Sequence, residues 1–263
     1  YIYYKMNTKL TFKKIAQNGY VILDNILAKK STKIVKNKLE KILDKRLKNN
    51  EVVGHHDNQV MYNYFNEDKS LLKLIHFPKI DLILKHLLEP NYVLQSTNAQ
   101  NRVKGKINKK TKLKKKYKIG STWHTDSRYL NNKRLSKGFS YLVIIALDPF
   151  TKFNGPTQFI KNSFNFKTKP KRRLKLKHKE LIMKEGSVCI MDTGMWHKAG
   201  ESSQLSRWSI FSIYTGWFVK PYFNYLDFIK KNKIKNKYKQ LLHFNSVPPE
   251  IDEMRSTVKP TKR

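Results

Sequence analysis

His124 and Asp126, two residues apart in Trp123-His124-Thr125-Asp126-Ser127, can grip one cation if their segment is extended. On a β-strand, residues i and i+2 point to the same face. One imidazole and one carboxylate suit a borderline first-row metal. The pair alone is a weak signal, because many sequences contain a His-x-Asp by chance. A third candidate stands at His197, just after the apolar run Val188-Cys189-Ile190-Met191 and the turn Asp192-Thr193-Gly194. Two histidines and one carboxylate form a facial triad that leaves coordination positions open, the arrangement of non-haem iron(II) oxygenases. Zinc favours four tetrahedral ligands with more His or Cys, so iron is the expected metal.

Ten residues after His197 comes Arg207-Trp208-Ser209, inside an otherwise apolar stretch. An arginine there is out of place as a solvated charge. Its planar fork matches a carboxylate with two parallel hydrogen bonds, and Ser209 shares its strand face. A keto acid that chelates a metal through its 2-oxo carboxylate end needs such an anchor for its far carboxylate.

These residues need a frame to hold them. The pattern gives a short helix from about 12, then the β-prone run Tyr20-Val21-Ile22-Leu23 after Gly19. Ser31 is a good helix N-cap, and Ile34, Val35, Leu39, Ile42, Leu43 and Leu47 follow at helical spacing, with lysines on the other face. Residues 54–67 read as loop with some strand, and 71–88 as two short helices broken at Pro78. Beyond Pro90 the period turns β-like, with strands expected at 92–97, 122–126, 139–147, 157–160, 181–183, 187–192 and 208–214. Lys-rich segments at 103–118 and 161–179 read as solvated loops, the tail 222–244 as helical, and 246–263 as disordered. Many short strands with turn signals predict a mainly β fold with flanking helices. One domain is expected over 1–245, with N-terminal helices at about 12–90, a β core at about 91–220 and a C-terminal helix at about 222–244.

Of 263 residues, 55 are Lys or Arg and 19 Asp or Glu, a formal charge of +36. Two readings of that charge stand side by side. Abundant Lys, Asn and Ile are what an AT-rich coding sequence produces, and a real attraction to nucleic acid, a membrane surface or an anionic substrate gives the same sign. No run of apolar residues is long enough to span a bilayer, and residues 1–10 lack the apolar core of a secretory signal. The single cysteine, Cys189, sits in an apolar run and reads as a small buried hydrophobe. With no intrachain disulfide available, a reducing, cytoplasmic setting is expected.

The order of the motifs resembles the phytanoyl-CoA dioxygenase-like branch of the iron(II), 2-oxoglutarate-dependent oxygenases. Gly19 to Asp24 before a helix is similar to that family's N-terminal signature, and Trp123-His124-Thr125-Asp126 to its metal strand. Leu147-Asp148 with Asn154-Gly155-Pro156-Thr157-Gln158-Phe159-Ile160, the stretch from Gly186 to His197, and Arg207-x-Ser209 complete the likeness, over roughly 15–220. It departs at Asn162-Ser163-Phe164, where the family has Gly-Ser-His, and in the Lys-rich insert at 103–118.

The resemblance implies a double-stranded β-helix, a jelly-roll core of cupin type. It implies that His124, Asp126 and His197 bind Fe(II), and that Arg207 and Ser209 hold the distal carboxylate of 2-oxoglutarate. Gln95 or Asn98, and Thr157, are expected to line the cosubstrate pocket. It further implies O2 as oxidant, ascorbate as accessory reductant, and hydroxylation of a C–H bond of a small-molecule substrate with release of succinate and CO2. Relatives that halogenate replace the metal carboxylate with a small residue, so Asp126 points to hydroxylation or an oxidation that begins as one. The competing reading is a non-catalytic basic β-barrel that binds nucleic acid or another polyanion.

Overall fold

The computed structural model describes residues 8–55, 58–103, 122–127, 129–130, 133–134, 138–170, 176–200 and 205–243. The expected loop at 103–118 lies, apart from its first residue, outside the described residues, as do the tail 246–263 and the pair His56-Asp57.

In chain order the regular elements are α1 (Thr8–Asn18), β1 (Tyr20–Leu23), α2 (Lys29–Lys48), β2 (Val53–His55), β3 (Asn58–Tyr62), α3 (Pro78–Leu88) and β4 (Val93–Arg102). After these come β5 (Tyr129–Leu130), β6 (Lys133–Arg134), β7 (Ser140–Ala146), β8 (Thr157–Phe159), β9 (Lys179–Glu180) and β10 (Val188–Asp192). The last are β11 (His197–Ala199), β12 (Arg207–Thr215), α4 (Leu226–Lys231) and α5 (Asn236–Leu241). The large sheet has the order β1-β10-β7-β12-β4-β3-β2, and a small one the order β11-β8-β9. Every pairing is antiparallel. Two facing antiparallel sheets backed by helices are the jelly-roll arrangement that the sequence led one to expect.

Alternation along the strands explains how the large sheet is covered on both sides. In β7, Tyr141, Val143 and Ile145 join the core under the helices, while Leu142, Ile144 and Ala146 join a smaller core between the sheets. In β10, Val188 and Ile190 go one way and Cys189 and Met191 the other. Strands buried on both faces read as unbroken apolar runs, which is why these two were plain in the sequence. Each fully buried aliphatic side chain contributes about 1.5–3 kcal/mol.

The helix α2 lies on the outer core through Val35, Leu39, Ile42 and Leu43. Its one buried base, Arg46, grips both carboxylate oxygens of Glu67 at 2.7 and 2.8 Å and donates to the carbonyl of Tyr62. The N-cap differs from expectation. It is Ala28, and Ser31 already donates its N–H to the Ala28 carbonyl within the first turn. The entry is fixed instead by Gly186, whose carbonyl accepts from the N–H groups of Ile26 and Leu27. Gly186 has φ +77, and a Cβ there would collide with the carbonyl of Leu27, so no other residue fits without strain.

Other boundaries also move. Residues 54–67 contain the hairpin β2–β3, and the first of the two helices expected over 71–88 is a 3-10 segment, Lys69–Ile75, capped by Asp68 through the Ser70 N–H. The strand expected at 122–126 is reduced to a single bridge between His124 and His197. That expected at 181–183 falls at Lys179–Glu180, with Met183 bridging Phe150. The tail forms two short helices, α4 and α5, and not one. No helix among the described residues is long and apolar enough to cross a membrane.

Candidate active site

A cleft of about 310 Å³ opens between the two sheets, and the predicted metal residues stand on its wall. The backbone brings the histidines together. His124 and His197 exchange both N–H···O bonds, at 3.0 and 2.9 Å, and their rings lie 4.3 Å apart. Asp126 reaches the same place by a different device from the strand alternation first expected. Its N–H and that of Ser127 both donate to the carbonyl of Thr193, in the turn that leads into His197.

That turn is itself pinned. The Thr193 hydroxyl lies 2.7 Å from that of Ser127 and 2.6 Å from that of Ser140. Asp192 accepts from the N–H groups of Gly194 and Gly138 at 2.7 and 3.0 Å. On its far side, Ser163 accepts from the N–H of Trp196 at 2.8 Å.

The donor set fits a metal ion. Nε2 of His124 is 3.9 Å from Oδ1 of Asp126, and Nε2 of His197 is 3.4 Å from Oδ2. One ligand atom from each residue falls within 4.8 Å of the others. Donors about 2.1 Å from a shared ion and at right angles sit about 3 Å apart, so small side-chain adjustments close the set. Each Nδ1 faces a backbone carbonyl, of Thr122 at 2.7 Å and of Met195 at 2.9 Å. A carbonyl only accepts, so Nδ1 carries the proton and the Nε2 lone pair faces the cluster. Burial and the neighbouring His197 push the His124 pKa down. Burial pulls His197 the same way, but the charge and hydrogen bond of Asp126 together with the Met195 carbonyl leave its pKa raised.

Arg207 is buried where β12 begins and lines the same cleft. Its guanidinium donates to the carbonyls of Asn154 and Gly155 at 3.2 and 2.8 Å and to the Ser209 hydroxyl at 3.3 Å, and it lies 3.6 Å over the Phe150 ring. Burial, then the nearby positive charge of Arg102, bring its pKa down to about 9, against the pull of Asp148. Ser209 is buried on the same face as Arg207.

The remaining expected pocket residues divide. Asn98 and Thr157 line the cleft. Gln95 does not: it falls at a bulge, where Ile213 pairs with Ser96 and Tyr214 with Leu94, and it lies outside the cleft wall. Phe211 of β12 is half-buried and lines the cleft too. Sequence reasoning missed the wall formed by Asn58 and Tyr62 of β3 with Ser96, Gln100 and Arg102 of β4, and Tyr222 nearby. The second half of β4 carries little signal, because Thr97 and Asn101 are as polar as Ser96, Asn98, Gln100 and Arg102 and no apolar–polar alternation marks the strand. Burial and the field of Asp126 raise the Tyr62 phenol.

No curated protein sequence matches the chain. HygX from Streptomyces hygroscopicus, solved with nickel, 2-oxoglutarate and hygromycin B, superposes with a TM-score of 0.62 at 8% identity, over 82% of this chain and 90% of its own. The epimerase SnoN, solved with Fe3+, alpha-ketoglutarate and nogalamycin RO, gives a TM-score of 0.58 at 13% identity, over 87% of this chain and 92% of its own. At such identities the likeness speaks for the fold. The sequence model for phytanoyl-CoA dioxygenase (PhyH) matches residues 15–208, the span that carries His124, Asp126, His197 and Arg207. The chain therefore belongs to the phytanoyl-CoA dioxygenase family of iron(II)- and 2-oxoglutarate-dependent oxygenase-type enzymes.

Proposed function

We propose that this protein hydroxylates a C–H bond of a small polar molecule, using Fe(II), 2-oxoglutarate and O2 and releasing succinate and CO2. The observation that carries the reading is one cleft that holds both a two-histidine, one-carboxylate cluster and a buried arginine. Bound Fe(II) supplies the activation of O2, coupled to oxidative decarboxylation of the 2-oxo acid. One oxygen atom goes to succinate and the other to the substrate, so R–H becomes R–OH.

The chain's own residues do the rest. His124, Asp126 and His197 would hold the ion through two imidazoles and one carboxylate, a donor set that would leave coordination positions open to a chelating 2-oxo acid. Arg207, fixed by carbonyl oxygens and the Phe150 ring, presents its charge to the far carboxylate with Ser209 beside it. Leu142, Phe211 and Ile213 supply an apolar flank that limits water near the reacting carbon. The facing wall of amides and phenols, Asn58, Asn98, Gln100, Tyr62 and Tyr222, suits hydrogen-bonding groups better than a fatty acyl chain.

The test is succinate release with Fe(II), ascorbate and 2-oxoglutarate over a panel of polar metabolites. Turnover stimulated by one of them, with a product heavier by one oxygen atom, is the expected result. A product of unchanged mass and inverted configuration would replace hydroxylation by epimerisation. Metal-loaded protein that takes up no 2-oxoglutarate would end the proposal.

A further inference from the structure

A second arginine, Arg102 at the end of β4, stands directly across from Arg207 in the β4–β12 register. Both are 4% exposed and both line the cleft. Each reaches across to backbone that flanks the small sheet. Arg207 donates to the carbonyls of Asn154 and Gly155, and Arg102 to that of Gly200. Those acceptors belong to adjoining backbone, since the Gly200 N–H donates to the Pro156 carbonyl. A Cβ on Gly200 would run into that same carbonyl, so the approach is as close as the backbone allows.

Two guanidiniums buried side by side repel each other and lose hydration. Among the described residues, Arg207 donates to neutral oxygens. Asp148, whose field reaches Arg207, spends its own oxygens on Lys36 and on the Trp208 N–H. Facing each other in register on the wall of one cleft, the two guanidiniums are placed to close on a single anion. A carboxylate offers about four lone-pair positions on two oxygens, enough to accept from both forks.

We propose that Arg102 is a second anchor for the far carboxylate of the 2-oxo acid cosubstrate, which this chain grips between two guanidiniums. The inference rests on the function proposed above. Its rival is a purely mechanical role, in which Arg102 only ties the large sheet to the small one through Gly200.

The two are separated by comparing cosubstrates with and without the far carboxylate. Calorimetry on the Ni(II)-loaded protein measures the affinity for 2-oxoglutarate and for 2-oxobutyrate, which has the same chelating head and no second carboxylate. Arg102→Gln is expected to weaken 2-oxoglutarate about 10- to 100-fold and to leave 2-oxobutyrate within about twofold. Arg102→Lys, which keeps the charge but not the fork, is expected to lose about 3- to 10-fold for 2-oxoglutarate alone. It carries the test if the Gln variant does not fold.

An equal loss for both acids would assign Arg102 to the mechanical role, and no loss for either would remove it from the site; both overturn the inference. Arg207→Gln serves as the control. If it leaves 2-oxoglutarate unaffected, or if the wild-type protein holds the two acids equally, the cosubstrate reading itself is at fault.

Discussion

The two faces of the large sheet are made by the same strands and do opposite work. On the helix side, Trp208, Ile210 and Tyr214 of β12 and Leu94 and Ala99 of β4 pack into the aliphatic core under α2 and α3. On the cleft side, the intervening residues are Arg207, Ser209, Phe211 and Ile213, and Ser96, Asn98, Gln100 and Arg102. One residue of register separates a face built to exclude water from one built to hold charge. Stability and chemistry are thus assigned to different sides of one pleated surface. Substitutions on the two sides are expected to move different measurements.

The largest effect is expected on the cleft side. His197→Ala removes the most buried of the three ligands and brings metal-dependent turnover to background, while the melting temperature of the metal-free protein stays near wild type. A fall in that temperature matching a core truncation would blur the division of labour. On the other side, Leu39→Ala empties a fully buried position of α2 and costs about 2–5 kcal/mol of stability. Chemical denaturation measures that loss, and the affinity for Ni(II) in the folded protein should hold.

A smaller effect sharpens the contrast within the cleft. Thr193→Val keeps the shape but removes the hydroxyl shared by Ser127 and Ser140. Metal affinity should fall about tenfold, the lower end for partners that orient ligands, and a metal-competition assay reads it. The smallest effect belongs to Cys189, in the core between the sheets. Burial pushes its thiol pKa far up, so a thiol reagent should label it only on unfolding. Cys189→Ala should cost no more than about 1 kcal/mol.

The same two faces explain what the sequence revealed. Strands β7 and β10, apolar on both sides, stand out as runs, and His197 and Arg207 stand out against them. The second half of β4, Ala99-Gln100-Asn101-Arg102, was not legible as strand, because Asn, Gln and Ala carry little β propensity and the strand is held by its neighbours β3 and β12. Arg102 was lost with it. His124 and Asp126 were identified by residue type, although the reason first assigned to their convergence, an extended strand, gave way to hydrogen bonds with His197 and Thr193. Such pairings over long sequence separation leave no local trace. Ser31 shows the converse: it has strong capping chemistry, but the chain enters α2 through Gly186 and the cap falls on Ala28.

The main chain around Asp126 is secured by two amides, its own and that of Ser127, on the Thr193 carbonyl. Position 126 is therefore a slot whose side chain can be exchanged while the frame keeps its shape. A lineage built on such a frame can drift from one oxidative outcome to another by single replacements at that slot, without passing through an unfolded ancestor.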